Sequence, residues 1–135
     1  MKEADRVLRV LLIEDDADDA ELTLYALRRF TDSHPVLHID DGEQALEYLF
    51  GDQELPSLIL LDLKMPRVDG VQILRELKND PIRNGIPVVA LISSREGKSY
   101  LESFDVKADA YMIKPVDSAQ FSAVLRQVGL LSDGL

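Results

Sequence analysis

The sequence predicts a doubly wound α/β sandwich, a parallel sheet with helices on both faces. Two observations predict it. Apolar runs at Val7–Ile13, Val36–Ile39, Leu58–Leu61, Val88–Ile92 and Ala110–Ile113 alternate with segments of helical periodicity. Three of the runs are nearly unbroken, as expected of strands buried on both faces. Five strands alternating with five helices, (βα)5, lead to this architecture.

Each element follows in order. The first strand, Val7–Ile13, runs into Glu14-Asp15-Asp16. Ala17, Ala20, Leu24 and Leu27 then share one helical face, with Asp16 as N-cap. Asp18, Asp19 and Glu21 favour the dipole of that helix. The turn sequence DSHP leads to Val36–Ile39, and Gly42–Phe50 reads as the second helix. GDQELP precedes the third strand, Leu58–Leu61, and Val71–Leu77 is the third helix. NDPIRNGIP turns the chain into Val88–Ile92, which a helix around Leu101 and Phe104 follows. After Ala110–Ile113, Phe121, Val124, Leu125 and Val128 give the i, i+3, i+4, i+7 pattern of the last helix. Only about six residues follow it, too few for an output domain. There is no internal repeat, low-complexity segment or linker.

Composition narrows the function classes. A chain of 135 residues is expected to form one domain with its own core. Without cysteine there is no disulfide, thiolate metal site or cysteine nucleophile. A net charge of -10 argues against nucleic acid and anionic lipid as partners. The charged start and the lack of a long apolar run argue against a membrane span, so a cytoplasmic location is expected. Such acidity serves plain solubility, and it equally suits a carboxylate cluster holding a cation.

The stretch LILLDLKMPRVDG concentrates the chemistry, because four aliphatic residues run straight into Asp62. A carboxylate at the end of a core strand is costly to desolvate, so something must compensate it. Ligands of doubly wound sheets bind outside the carboxyl ends of the strands. If the first and third strands are neighbours, Glu14, Asp15 and Asp62 meet at that edge and raise one another's pKa values. A hard divalent cation resolves the conflict, and oxygen ligands with open water positions favour Mg²⁺. Each acid taken alone is more readily a cap than a ligand; together they favour a metal site. Lys114-Pro115, ending the fifth strand, brings a cation to the same edge for an anion such as a phosphoryl group. Carboxylate, Mg²⁺ and lysine describe a carboxylate nucleophile poised for phosphoryl transfer, and an ionised carboxylate needs no general base.

From VLLIEDD through DLKMPRVDG to YMIKP, the chain resembles the receiver domain of two-component response regulators. The resemblance covers residues 1–135 as a single domain, with a core over about 7–129. It implies a flavodoxin-like three-layer sandwich with strand order 2-1-3-4-5. It implies that Asp62 is the phosphoacceptor and that Asp15 binds Mg²⁺ directly. Glu14 would hold the metal through water, Lys64 would offer its backbone carbonyl, and Lys114 would contact the phosphoryl group before a cis proline. Met65 reads as packing, while Pro66 and Gly70 shape the loop, glycine being able to supply a positive φ. DDADDAELTLYALRRF and DGEQALEYLF look closest to short single-domain regulators paired with bacteriophytochrome-type histidine kinases. A homodimer would use the face formed by the helix around Leu101, the fifth strand and the last helix, with Tyr100, Phe104 and Tyr111 contributing apolar area.

The sequence departs from the family in places. Receivers usually carry threonine or serine at the end of the fourth strand, where Ile92 stands here. Ser93 and Ser94 follow; by strand alternation Ser93 points away and Ser94 returns to the site side. Tyr111 fits an aromatic switch position and equally a half-buried strand aromatic. The small pair before the fifth strand reads Lys107-Ala108. His34 and His38 lack ligand-spaced partners and read as structural or solvent-facing.

A phosphorylatable, stand-alone receiver, a signalling domain rather than an enzyme, is therefore expected. The rival is a phosphorylation-independent interaction module with the same fold, which Ile92 favours and the acids with Lys114 oppose. A haloacid-dehalogenase-like phosphatase would carry a second aspartate two positions after the first, where Lys64 stands. A dinucleotide-binding enzyme would carry G-x-G-x-x-G after the first strand, and it is absent.

Overall fold

In the computed structural model, which describes residues 7–65, 67–93 and 95–131, five strands pair in parallel in the order β2-β1-β3-β4-β5. They are β1 (Val10–Ile13), β2 (Val36–Ile39), β3 (Leu58–Asp62), β4 (Val88–Ile92) and β5 (Ala110–Ile113). The helices are α1 (Ala17–Ala26), α2 (Arg28–Thr31), α3 (Gly42–Leu49), α4 (Gly70–Lys78), α5 (Arg95–Glu102) and α6 (Ser118–Gln127). The flavodoxin-like receiver fold expected from the sequence is what the chain forms.

Side-chain alternation splits the core into two layers. Leu11, Ile13, Ile59, Leu61, Ala90 and Ile92 face the layer shared with α3, α4 and α5. Val10, Leu12, Leu58, Leu60, Leu91 and Met112 face the layer of α1 and α6. The three near-unbroken runs are the three central strands, buried at every residue. Edge strands β2 and β5 are only partly covered. Four aspartates cap helices: Asp16, Asp41, Asp69 and Asp117 each accept from the backbone N–H three residues on.

Three expectations are corrected. The first ladder pair is Val10 with Val36, so the strand starts three residues later than the apolar run. Val7 is 60% exposed, and the Leu8 N–H donates to His34 Nδ1 at 2.8 Å instead of to a strand. The first helical run is two helices, giving six in all among the described residues. It breaks at Leu27, whose N–H is shared between the carbonyls of Thr23 and Leu24 at 3.1 and 3.2 Å. Leu27 stays buried across the break, and the buried stripe is Ala20, Thr23 and Leu27, with Leu24 packed against the same layer and Ala17 exposed. Phe104 lies beyond the end of α5. No helix among the described residues is long and apolar enough to cross a membrane.

Candidate functional site

The register sets the site. Ile13 pairs with Leu61, so the residues that follow, Glu14 and Asp62, emerge side by side at the carboxyl edge. Glu14, Asp15 and Asp62 present carboxylate oxygens that all lie within 4.8 Å of one another. Glu14 and Asp62 are buried and Asp15 is exposed. β5 brings Lys114 to the same edge, its Nζ 2.7 Å from Glu14 Oε1, 3.1 Å from Asp19 Oδ2 and 3.3 Å from Asp62 Oδ1. The Lys114–Pro115 bond is cis, as the resemblance implied.

Electrostatics follow from that crowding. Burial pushes the Glu14 carboxyl up to about 7, and the Asp62 carboxylate adds to the shift against the opposing pull of Lys114. Asp15 is raised by partial burial and by Asp62, against a backbone hydrogen bond that lowers it. For Lys114, burial disfavours the ammonium, but its contacts with Glu14, Asp62 and Asp19 outweigh that and hold its pKa above the ordinary lysine value.

The donor set fits a hard divalent cation. Lys114 is close to Glu14 Oε1, yet that fully buried oxygen receives no well-directed hydrogen bond. Glu14 Oε2 takes only a long one, 3.3 Å, from the Asp16 N–H. A buried carboxylate oxygen so poorly satisfied, beside two further carboxylates, is suited to an oxygen-seeking ion. The cleft above the acids, about 280 Å³, is also bordered by Asp19, Lys64, Ile92, Ser93, Gly97 and Tyr100.

The loop after β3 is held by backbone packing. The Gly70 N–H donates to the Leu63 carbonyl at 2.9 Å. A Cβ at residue 70 would overlap the Asp62 carbonyl oxygen and sit 2.7 Å from Leu63 Cα. Gly70 is therefore required for close approach, and not for a positive φ as expected; the left-handed residue in this loop is Arg67, at φ 65°. Arg67 pairs with Asp41, the cap of α3. Met65 is buried in the core, as its packing assignment required. Pro66 lies outside the described residues.

Ile92 is buried in the layer beneath α5, where it meets Gly97 so closely that a Cβ there would lie 2.7 Å from the Ile92 Cβ. Ser93 is exposed and borders both the cleft and the adjoining pocket beside Asp19, Leu22 and Pro115. The ladder ends at Ile92, and beyond the last paired residue strand alternation no longer dictates direction. Ser94 lies outside the described residues. Tyr111 is half-buried, with burial raising its phenol, and Lys98 Nζ stands 5.3 Å from its ring centroid. Lys64 is exposed at the rim, its Nζ 6.0 Å from the Tyr100 ring. His34 stacks on Phe30, and His38 Nε2 lies 2.8 Å from the Glu14 carbonyl oxygen, so both have structural partners.

One cleft residue escaped the sequence. Asp19 read as an acid complementing the helix dipole, and it also bonds Lys114 across 95 positions of chain. The available signal was its place three residues after the cap Asp16, in a first turn that stands at the sheet edge.

Fold and site together define a receiver. Residues 10–126 match the family model of the response regulator receiver domain, and the chain belongs to that family. The chain is 30% identical over 130 residues to the probable methanogenesis regulatory protein FilR2 of Methanothrix harundinacea, covering 93% of this chain and 84% of that protein. It is 33% identical over 110 residues to the response regulator Rcp1 of Synechocystis sp., covering 78% and 75%. Among solved structures it is similar to the bacteriophytochrome response regulators RtBRR and AtBRR. RtBRR is 39% identical with a TM-score of 0.84, covering 96% of this chain and 82% of that one. AtBRR is 36% identical with a TM-score of 0.85, covering 96% and 98%.

Proposed function

We propose that the chain is a phosphorylatable, stand-alone receiver that takes a phosphoryl group from a histidine kinase onto Asp62 and signals by a change of conformation or assembly. The observation that carries this is the buried Asp62 carboxylate, set between the Glu14–Asp15 pair and the Lys114 ammonium. An Asp62 oxygen attacks the phosphorus of a phosphohistidine, an O–P bond forms as the N–P bond breaks, and the electron pair leaves with the imidazole. Lys114 is placed to offset charge on the phosphoryl oxygens. Glu14, Asp15, Asp62 and the backbone carbonyl of Lys64 would hold Mg²⁺, which supplies charge neutralisation at those oxygens. Incubation with acetyl phosphate and Mg²⁺, followed by intact mass, tests the proposal: the gain of one phosphoryl group supports it and an unchanged mass refutes it.

The likeness to bacteriophytochrome response regulators supports a kinase of that type as partner, and a cytoplasmic site of action goes with it. A homodimer through the α5-β5-α6 face is part of the same proposal. Tyr100, Phe104 and Ile113 are 41%, 40% and 41% exposed there, with the Tyr100 and Phe104 rings in edge contact at 5.1 Å.

Metal binding should separate the two acids of the β1 end. Asp15 is exposed at the cleft and would be the direct ligand, whereas Glu14 is already engaged by Lys114 and would act through water. In Mg²⁺ titrations Glu14→Ala should weaken binding by about tenfold, as for groups outside the first coordination layer, and Asp15→Ala by more. A larger loss in the glutamate variant would reverse the two roles.

Ile92 favours a second reading, in which the fold serves interactions with weak dependence on phosphorylation. Its side chain is fixed against Gly97 and offers no hydrogen bond to follow a phosphoryl oxygen. A hydrogen bond to a charged group is worth about 1.5–3 kcal/mol, so its absence weakens the bias between two states by tenfold or more. Ile92→Thr should enlarge the difference between free and beryllofluoride-bound amide spectra around Tyr111. An unchanged spectral response would place the output elsewhere, on the α5-β5-α6 face. Ser94→Ala, if that hydroxyl substitutes for a threonine at 92, should reduce the wild-type response.

A further inference from the structure

We propose that Asp19 is a positioning residue that shares the Lys114 ammonium with Glu14 and Asp62, easing its hold on those two carboxylates so that a cation can bind beside them, and holding it back from an incoming phosphoryl group. The proposal rests on Asp62 as phosphoacceptor and adds to it a residue of α1. Lys114 Nζ is shared by three carboxylates, and Asp19 is the one of the three outside the metal-competent cluster. Glu14 and Asp62 belong to that cluster, so every contact they make with the ammonium competes with metal binding. Asp19 borders both the cleft over the acids and the adjoining pocket lined by Ser93, Pro115 and Val116. An ammonium that shifts further toward Asp19 leaves the oxygens of Glu14 and Asp62, 2.7 and 3.3 Å from it here, open to a cation.

The tether gives opposite consequences for a cation and an anion. Without Asp19 the ammonium recentres on Glu14 and Asp62, where it displaces Mg²⁺. The same loss removes a carboxylate that competes for the ammonium and repels a phosphoryl group, so the anion gains. An acid serving only the helix dipole produces no such split, because a weakened first turn of α1 lowers both affinities or neither.

The experiment compares Asp19→Asn, Asp19→Glu and Asp18→Asn with the wild-type chain, measuring Mg²⁺ affinity alone and then beryllofluoride affinity at saturating Mg²⁺. Asp18 shares the first turn but lies exposed beside Glu21, Leu22 and Tyr25, so it controls for a general change of charge. Asp19→Asn should weaken Mg²⁺ and strengthen beryllofluoride, each by about two- to fivefold, the range of a partly exposed ion pair. Asp19→Glu should restore both values towards wild type, and Asp18→Asn should move neither by as much. Equal constants in Asp19→Asn and wild type, or changes of the same sign, overturn the tether. A wild-type chain that gains no phosphate mass overturns the assignment of Asp62 instead, and the Mg²⁺ ratio still decides the role of Asp19.

Discussion

Asp62→Asn is expected to gain no phosphoryl group from acetyl phosphate and Mg²⁺ under conditions that label the wild-type chain fully. The amide is nearly isosteric with the carboxylate but is a poor nucleophile, so attack on phosphorus fails while the cavity keeps its shape. The fold should survive. Asp62 lies beside the fully buried Glu14, and replacing one of two adjacent carboxylates by a neutral group relieves repulsion. Circular dichroism and thermal unfolding should therefore show a folded variant at least as stable as wild type. Equal labelling of Asp62→Asn would move the phosphoacceptor to another cleft acid, Asp15 or Asp19, and end the present assignment.

Gly70→Ala should destabilise the protein by about 1–3 kcal/mol, the usual cost of forcing atoms into a packed site, and should also slow phosphorylation. The added methyl meets backbone atoms of Asp62 and Leu63, which cannot swing away as a side-chain tip can. Relief requires moving either the start of α4 or the end of β3, and the latter carries the nucleophile. Gly85→Ala is the matched control, since a Cβ there meets nothing within 4 Å. It should change stability by no more than about 0.5 kcal/mol, as for an ordinary surface site. Urea denaturation of the two variants decides the matter. A Gly70→Ala protein as stable as Gly85→Ala would show that the loop yields, and that the nucleophile is not braced from behind.

Much of this was legible in the sequence for a simple reason: strands buried on both faces leave unbroken apolar runs, and the capping Asp16 marks the start of the first helix. The strand-end acids were legible because a charge ending a core strand demands compensation, and the parallel sheet then fixed where Glu14, Asp15, Asp62 and Lys114 would meet. The misses lie where a local rule stops applying. Alternation does not fix the direction of Ser93, because the ladder ends one residue earlier. Helical periodicity ran through Leu27 because burial continues across the break. The role of Gly70 depends on how closely α4 approaches β3, a tertiary distance that composition cannot express. Asp19 was hidden by having a sufficient local explanation already, in the dipole of its own helix.

The seat of Ile92 on Gly97 makes the integrity of α5 conditional. Glycine inside a helix costs about 0.5–1 kcal/mol relative to alanine, and eight residues are too few to hold helical form alone in water. What compensates is burial, with Leu101 fully covered and Gly97 pressed against the strand end. This segment is therefore wound only while it is docked. Any event that lifts residue 92 from beneath it would be felt as melting along the 95–102 stretch, and a partner that reads this surface would sense order and disorder as much as position. A side chain at residue 97 would meet the Cβ and Cγ2 of Ile92, so that position stays closed to anything larger than glycine for as long as α5 is seated there.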